Sequence, residues 1–318
     1  MSFSILGTGK AVPQFVLTND DLSKMVDTND EWIRTRTGIR ERRICKEETI
    51  TDLCVSAAEE AMKDANITAN ELDLIICATF RGEFITPSEA SLIQKRIGAS
   101  CPAFDINGAC SGFIFALDVA LGYFARKTVK KVLVIGADNL SNVTDWNDRS
   151  TCVLFGDGSG AVVLGEGEGL KSIHLTLKGD SDVLYVPRGK NTSPMYEHES
   201  ENPVVHMQGS EVYKFAVIAM IKGIRKALKD AGLTEEDVAW VVPHQANIRI
   251  INAAIEKLNI HPEKFFCNLD KYGNTSAGSV PIALDEANKA GKFKSGDIIV
   301  LCAFGAGLTT GSAVIRWE

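Results

Sequence analysis

Short, continuous runs of apolar residues alternate along the chain with longer stretches in which apolar positions recur every three or four residues. The first pattern is typical of buried strands and the second of helices with one buried face. Strands are predicted at 4–7, 72–79, 102–107, 132–137, 151–155, 160–164, 172–177, 238–242, 298–303 and 312–317. Helices are predicted after the caps Asn19, Asn29, Thr51 and Asn247, at 88–97 and 111–125, from 210 to 232, and before Ala290. Strands that alternate with helices indicate an α/β protein with largely buried sheets.

An internal repeat divides the chain into two similar halves. Residues 61–68 resemble residues 227–234, and the strands that follow keep the same offset of 166 positions. Further matches at nearly this offset pair 116–118 with 283–285 and 132–135 with 298–301. We therefore predict an N-terminal half at 1–167 and a C-terminal half at 168–318, with the functional site where the two halves meet.

Cys110 is the first candidate for chemistry, because it lies where the strand at 102–107 breaks at Gly108 and the helix at 111–125 begins. Backbone N–H groups at a helix N-terminus favour a thiolate, so a cysteine there can be nucleophilic near neutral pH. A buried packing cysteine is an equally good interpretation. The repeat predicts that the loop holding Asn274 lies opposite Cys110, and that His244, which follows a strand end, joins them. Taken singly, His244 is better explained as a structural histidine and Asn274 as a turn residue.

Composition narrows the function classes. The 318 residues are 45% hydrophobic and 24% charged, as in ordinary globular proteins, and the net charge of −7 argues against general nucleic-acid binding. The eight cysteines are scattered without a Cys-x-x-Cys pair, so neither a disulfide framework nor a metal site is expected. The N-terminus lacks a signal-peptide pattern and no apolar run reaches the length of a membrane span, so we expect a cytoplasmic protein that does not enter a membrane.

Several motifs together resemble β-ketoacyl-acyl-carrier-protein synthase III, a family of the thiolase superfamily that starts fatty-acid synthesis. They run from end to end of the chain, at 30–40, 108–112, 155–158, 242–249, 273–277 and 303–309. The resemblance implies a duplicated thiolase fold of five layers, α-β-α-β-α, with two mixed sheets. This fold agrees with the internal repeat.

The resemblance also implies a mechanism. The thiolate of Cys110 attacks a short acyl-CoA, and the backbone N–H groups of Cys110 and Ala306 stabilise the oxyanion. His244 and Asn274 then bind the thioester carbonyl of malonyl-acyl-carrier protein while CO₂ is lost. A biosynthetic thiolase has a second catalytic cysteine where this chain has Phe304, and elongating ketosynthases have a histidine in place of Asn274.

The remaining expectations follow from the same resemblance. CoA and its pantetheine arm are expected at Thr28, Trp32, Arg36, Arg149, Gly209, Asn247 and Phe304; the acyl pocket at Thr86 and Met207; and the acidic carrier protein at Lys214, Arg249 and, more weakly, Lys257. The partners are acyl-CoA, malonyl-acyl-carrier protein and a second copy in a homodimer. No cofactor is expected, because the CoA thioesters are substrates.

Two positions depart from the family pattern, namely Thr86, where many members have Phe, and Thr310, where Trp is frequent. With Thr86 in place of Phe, an acyl primer longer than acetyl is one of the alternatives. Arg34, Arg42 and Arg43 are expected in solvent. Two other functions remain open: a related polyketide or alkylquinolone condensing enzyme or acyltransferase with the same three residues, and a non-catalytic acyl-thioester-binding protein.

Overall fold

The computed structural model describes residues 2–197 and 199–318. Its first sheet has five strands in the order β1-β7-β6-β4-β5. Their bounds are Ser2–Ala11 (β1), Leu74–Ala78 (β4), Ala103–Ile106 (β5), Lys131–Asn139 (β6) and Asp157–Gly167 (β7). Strands β6, β4 and β5 are parallel, whereas β7 is antiparallel to both β1 and β6. The parallel strands are short apolar runs, as expected for strands with both faces covered.

The second sheet repeats this topology. Its order is β11-β12-β13-β8, with bounds Leu170–Asp180 (β8), Val238–Pro243 (β11), Ile298–Gly305 (β12) and Gly307–Arg316 (β13). A parallel bridge from Val241 to Phe265 lies where β5 lies in the first sheet. The sequence repeat therefore corresponds to two sheets of the same strand order. The predicted boundary at 167/168 falls between β7 and β8, and the division into two domains stays a prediction.

Helices cover both faces of both sheets. Helices α3 (Ile50–Asp64) and α4 (Glu89–Ile97) pack on the outer face of the first sheet, and α6 (Gly209–Asp230) and α7 (Ile248–Ile255) on that of the second. Between the sheets lie α5 (Gly112–Ala125) and α9 (Ser279–Lys289), within a core to which both halves contribute. A helix that is apolar on nearly all sides, as α5 is, belongs in such a central layer. The predicted five-layer fold is confirmed.

The described part of the chain also contains shorter helices and strands. They are β2 (Val16–Thr18), α1 (Asn19–Leu22), α2 (Asp30–Thr37), β3 (Glu41–Arg43), β9 (Leu184–Tyr185), β10 (His206–Met207) and α8 (Leu269–Tyr272). In the part of the chain that the structure describes, no helix combines the length and apolarity needed to cross a membrane.

The sequence misplaced some local features. Thr18 and Thr49, rather than Asn19 and Thr51, cap α1 and α3, and both form capping boxes with an aspartate three residues later. The strand predicted at 151–155 is wrong, because residues 151–154 form turns. Strand β7 begins at Asp157, three residues before the strand predicted at 160–164.

Arg42 explains part of this error. We expected its side chain in solvent, but it is fully buried. Its guanidinium donates hydrogen bonds to the carbonyl oxygens of Leu17 (3.1 Å) and Val153 (2.8 Å) and to Oδ1 of Asn19 (3.0 Å). The bond to the Val153 carbonyl links the turn at 151–154 to a residue 111 positions away in the chain.

Candidate active site

Cys110 lies at the junction of β5 and α5. The Asn107 side chain accepts a hydrogen bond from the Ala109 N–H (3.1 Å), and Ala109 adopts a left-handed backbone with φ of +47°. A non-glycine residue in this region indicates backbone strain that the surrounding structure supports. The 3₁₀ turn Ala109–Ser111 then leads directly into α5. Cys110 is thereby fixed at the N-terminal end of a central helix.

Cys110, His244 and Asn274 line one cavity of about 840 Å³. The cavity lies where the two halves meet, since Ala109 and Cys110 of the first half and Asn274 and Ser276 of the second all line it. Its inner end is apolar and is formed by Leu140, Phe155, Val205 and Met207. The geometry thus brings together the three polar candidates beside a hydrophobic pocket, which is the usual composition of a small-molecule site.

The thiol of Cys110 is half-buried. Burial raises its pKa to about 12; Asp138 adds to this rise, whereas the hydroxyl of Ser276, 3.4 Å from Sγ, opposes it. Burial therefore opposes the helix N-terminus, which favours the thiolate, and the prediction that Cys110 is a thiolate near neutral pH stays a prediction.

His244, by contrast, is fully buried and neutral. Burial lowers its pKa to about 3. Its backbone N–H donates to the Cys302 carbonyl (2.7 Å), and its ring nitrogen Nδ1 lies 2.6 Å from the Ser279 hydroxyl. The ring also packs edge-on against Phe304, with the ring centres 5.1 Å apart. These contacts fix the ring and leave Nε2 for the cavity.

Asn274 is fixed through its backbone and one side-chain atom. Its N–H donates to the Leu154 carbonyl (2.9 Å), and its carbonyl accepts from the Gly156 N–H (3.0 Å). Its side-chain oxygen accepts from the Ser276 N–H (2.9 Å). With Oδ1 occupied, the amide Nδ2 is the group available as a donor to a ligand.

Gly305 allows β12 to approach Cys110. A Cβ atom at this position would lie 2.7 Å from the Cys110 backbone nitrogen and 3.0 Å from its Cβ, distances that real side chains do not reach. The next residue, Ala306, lines the cavity with Cys110. The absence of a side chain at 305 thus brings the backbone of Ala306 close to that of Cys110.

The residues expected to bind CoA lie at the cavity's outer end. The guanidinium groups of Arg36 and Arg149 lie 4.6 and 5.2 Å from the ring centre of Trp32. Trp32 and Arg36 line the cavity. Arg149 does not line it but lies against Trp32, and it donates a hydrogen bond to the Asp27 carbonyl (2.8 Å). The hydroxyl of Thr28 is buried without a hydrogen-bond partner among the described residues, and Thr28 does not line the cavity.

The cavity mouth is formed by the start of α6 and the start of α7. Gly209, Lys214, Asn247 and Arg249 all line it. Asn247 caps α7 by accepting from the Arg249 N–H (2.9 Å), and the Arg249 guanidinium lies 5.8 Å from the ring centre of Tyr213. Lys214 is exposed and pairs with Glu211. The charged side chains of Lys214 and Arg249 therefore lie beside the opening of the cavity.

The two positions that depart from the family pattern do not line the cavity. Thr86 is exposed and does not line the cavity of its own chain, contrary to the expectation that it closes the acyl pocket. Thr310 lies on β13, where its hydroxyl is 2.5 Å from that of Thr176 on β8, away from this cavity. The presence of Thr86 instead of Phe and of Thr310 instead of Trp therefore does not change the set of residues with which this chain lines the cavity.

Sequence reasoning missed Ser276, Ser279 and Gly305. One signal was present for Ser276, because it lies in the loop that the repeat predicts to be opposite Cys110. Each of the two residues lies in a 3₁₀ turn that leads into a central helix. No comparable pattern marks Ser279 or Gly305.

Comparison with known proteins identifies the family. The sequence model described as 3-oxoacyl-[acyl-carrier-protein (ACP)] synthase III matches residues 104–181, and that of its C-terminal part matches residues 228–317. The β-ketoacyl-[acyl-carrier-protein] synthase III of Aquifex aeolicus is 50% identical, covering 100% of both chains. The chain belongs to the β-ketoacyl-[acyl-carrier-protein] synthase III family. As a family member it is an acyltransferase of the condensing type that acts in fatty-acid synthesis, as predicted.

Solved structures of synthase III enzymes agree with this assignment. The crystal structure of the Aquifex aeolicus protein superimposes with a TM-score of 0.92 at 49% identity, covering 99% of this chain and 100% of the other. The priming β-ketosynthase of the R1128 polyketide pathway has a TM-score of 0.93 at 32% identity, covering 100% and 96%. The fold is thus shared by a 3-oxoacyl-[acyl-carrier-protein] synthase III and by the priming β-ketosynthase of a polyketide pathway.

Proposed function

We propose that this synthase III condenses a short acyl-CoA primer with malonyl-acyl-carrier protein, releasing CoA and CO₂ and giving 3-oxoacyl-acyl-carrier protein. The observation that carries the proposal is the meeting of Cys110, His244 and Asn274 in one cavity of a family member. The reaction takes both thioesters as substrates and calls for no cofactor.

In the first half-reaction the sulfur of Cys110 attacks the acyl-CoA carbonyl carbon, and the C–S bond to CoA breaks. The developing oxyanion accepts hydrogen bonds from the N–H groups of Cys110 and Ala306, which Gly305 allows to lie close together. Such donors are already oriented before the charge develops, so they stabilise the transition state strongly. The acyl chain is held against Leu140 and Phe155 at the apolar end of the cavity.

In the second half-reaction Nε2 of His244 and Nδ2 of Asn274 donate hydrogen bonds to the malonyl thioester carbonyl. Loss of CO₂ then leaves an enolate whose oxygen these two groups stabilise, and its carbon attacks the acyl group on Cys110. A histidine with a pKa near 3 suits this role, because it is a neutral donor and no base is needed to form the carbanion.

The outer end of the cavity supports the proposed binding of CoA. A flat aromatic ring between guanidinium groups suits the adenine and the nearby phosphates, so we assign Trp32, Arg36 and Arg149 to the nucleotide. Thr28 does not line the cavity, but its hydroxyl has no hydrogen-bond partner among the described residues, and we assign it near the nucleotide. We assign Lys214 and Arg249 at the mouth to the acidic carrier protein, whose prosthetic arm then passes Gly209 and Asn247.

We further propose a homodimer. Strand β5 is at the edge of the first sheet, and an uncovered edge pairs readily with another chain. Phe84 and Ile85, in the segment before α4, are 57% and 95% exposed, which is costly for large apolar side chains in a free monomer. Ile85→Asp should shift the protein to monomers in analytical ultracentrifugation, whereas Met25→Asp, at another exposed apolar site, should not.

The central test is acyl-enzyme formation. Incubation with radiolabelled short acyl-CoAs, straight and branched, should leave label on Cys110 and none on a Cys110→Ala variant. Malonyl-acyl-carrier protein should then discharge the label as 3-oxoacyl product. A protein that is not labelled by any primer would refute the proposal, and discharge by malonyl-CoA instead would assign it to the polyketide-type enzymes.

A further inference from the structure

Thr309 is a buried residue beside the active site that the proposed mechanism does not use. It lies on β13, where it pairs with Gly305 of β12, and is 4% exposed. Ala306 and Leu308 line the active-site cavity, but Thr309 does not. A role for its hydroxyl in the reaction therefore has to pass through other residues of the site.

The Thr309 hydroxyl contacts two segments of backbone that are distant in sequence. Its oxygen lies 3.2 Å from the carbonyl oxygen of Gly108 and 3.1 Å from that of Ala306. It also lies 3.2 Å from the hydroxyl oxygen of Ser111. A threonine hydroxyl has a single proton to donate, so these three acceptors share it.

The same two segments carry the proposed oxyanion donors. Gly108 begins the turn that contains Cys110, and its carbonyl also accepts from the Ser111 N–H (3.1 Å). Ala306 joins β12 to β13, and its carbonyl also accepts from the Thr309 N–H (3.2 Å). The Thr309 side chain thus links the turn of Cys110 to the turn of Ala306, across 201 residues of chain.

Gly305 and Thr309 affect the same separation in different ways. Gly305 allows close approach, because a Cβ atom there would lie 2.7 Å from the Cys110 backbone nitrogen. Free space does not fix a distance, whereas hydrogen bonds from one hydroxyl to both segments do, because their lengths vary little. An oxyanion is stabilised well only by donors held about 3 Å from the position it will occupy.

We propose that Thr309 is a positioning residue for acylation, whose hydroxyl fixes the separation between the N–H groups of Cys110 and Ala306 that receive the oxyanion. The inference rests on the proposed function, because it requires Cys110 to be acylated with these two groups as donors. The role is confined to the thioester carbonyl of the primer. Decarboxylation of malonyl-acyl-carrier protein, which we assign to His244 and Asn274, does not depend on it.

The first test is Thr309→Val, which keeps the branched shape of threonine and removes the hydroxyl. Both carbonyl groups keep their backbone donors, so this variant should fold. The single-turnover rate of label transfer to Cys110 should fall by about 10- to 100-fold, as expected for a small misplacement of the groups around a reacting centre. The KM for acyl-CoA and the release of CO₂ from malonyl-acyl-carrier protein without a primer should not change.

Two further variants serve as controls. Thr309→Ser retains the hydroxyl and should restore acylation to nearly the wild-type rate. Thr310→Val removes the hydroxyl of the next residue on β13, which lies 2.5 Å from that of Thr176 and away from the cavity. This variant should match the wild type in acylation, in KM and in CO₂ release.

Infrared spectroscopy of the acyl-enzyme distinguishes positioning from a general loss of structure. Hydrogen bonds from the two N–H groups lower the stretching frequency of the thioester carbonyl, which an isotope label in the acyl group identifies. The band should move to higher frequency in Thr309→Val and stay in place in Thr309→Ser and Thr310→Val.

An unchanged band in Thr309→Val, or equal losses in acylation and CO₂ release, would overturn the inference although Cys110 is labelled. Failure of Thr309→Ser to restore acylation would do the same. A wild-type protein that takes no label from any primer would refute the proposed function itself. Should Thr309→Val not fold, Thr309→Ala is measured in its place, with the same expected results.

Discussion

The sulfur of Cys110 lies 3.4 Å from the hydroxyl of Ser276, although 166 residues separate them in the chain. Both residues lie in 3₁₀ turns that lead into the central helices α5 and α9. One turn therefore carries the nucleophile, and the other carries a hydroxyl that contacts it. The remaining polar groups of the site are arranged around this contact.

Gly305→Ala should abolish acylation. The added methyl group would collide with the Cys110 backbone nitrogen, so β12 or the cysteine has to move and the oxyanion loses its aligned donors. Loss of one such donor slows acyl transfer by about 10²-fold or more. Label transfer from acyl-CoA measures the effect. Gly122→Ala on α5, where a Cβ meets nothing within 4 Å, is the control and should be labelled normally.

Ser279→Ala should separate the two half-reactions. The Ser279 hydroxyl holds Nδ1 of His244, and without it the ring loses its fixed orientation towards the malonyl carbonyl. We expect malonyl decarboxylation to slow by about 10- to 100-fold, as small misplacements of a reacting group do, while acylation of Cys110 is retained. Release of CO₂ from labelled malonyl-acyl-carrier protein measures it. Ser172→Ala, which removes a bond to the Ala227 carbonyl far from the cavity, should leave both rates unchanged; a parallel loss in both half-reactions would contradict the assignment.

Trp32→Ala should raise the KM for acyl-CoA by about tenfold, since stacking on a base is worth roughly 1–3 kcal/mol. Rates with an acyl-pantetheine substrate, which lacks the adenine, should not change. Arg34→Ala on the same helix removes only an exposed pair with Asp30 and is the matched control. An equal rise in KM with both substrates would show that the adenine does not bind at Trp32.

Arg42→Met should destabilise the fold by about 3 kcal/mol, because it leaves three buried acceptors at Leu17, Asn19 and Val153 without their donor. Urea unfolding measures the change. Arg34→Met, at an exposed ion pair on α2, should cost no more than about 0.5 kcal/mol. Similar losses in the two variants would show that the bonds of Arg42 contribute little.

His244 should make stability depend on pH. Its pKa is lowered from 6.5 to about 3 in the folded state, so the unfolded chain binds a proton that the native protein does not. Its contribution to stability is complete above pH 6.5 and falls as the pH drops towards 3, by up to about 1.4 kcal/mol per pH unit. Urea unfolding of the wild type and His244→Gln between pH 6.5 and 4.5 should reveal this slope as their difference. His261→Gln, at an exposed histidine, should parallel the wild type.

The alternation of apolar runs and the internal repeat predicted the α/β class and the two copies of one unit. This succeeded because a strand buried on both faces and a helix between two sheets have to be apolar, whatever their partners. The sequence failed at 151–155, because those apolar residues are held in turns by Arg42 from a distant segment. It also assigned the N-caps of α1 and α3 to Asn19 and Thr51 instead of Thr18 and Thr49, because these neighbouring residues are equally good caps by residue type.

The sequence alone determined the family, the fold and the identity of Cys110, His244 and Asn274 as candidates, since motifs and periodicity are local properties of the chain. Only the tertiary structure decided their chemical state. Burial disfavours the charged forms of the thiol and the imidazole, the Ser279 hydroxyl orients His244, and Gly305 brings a second strand against Cys110. Desolvation and contact depend on which distant segments surround a group, and no stretch of sequence around that group carries this information.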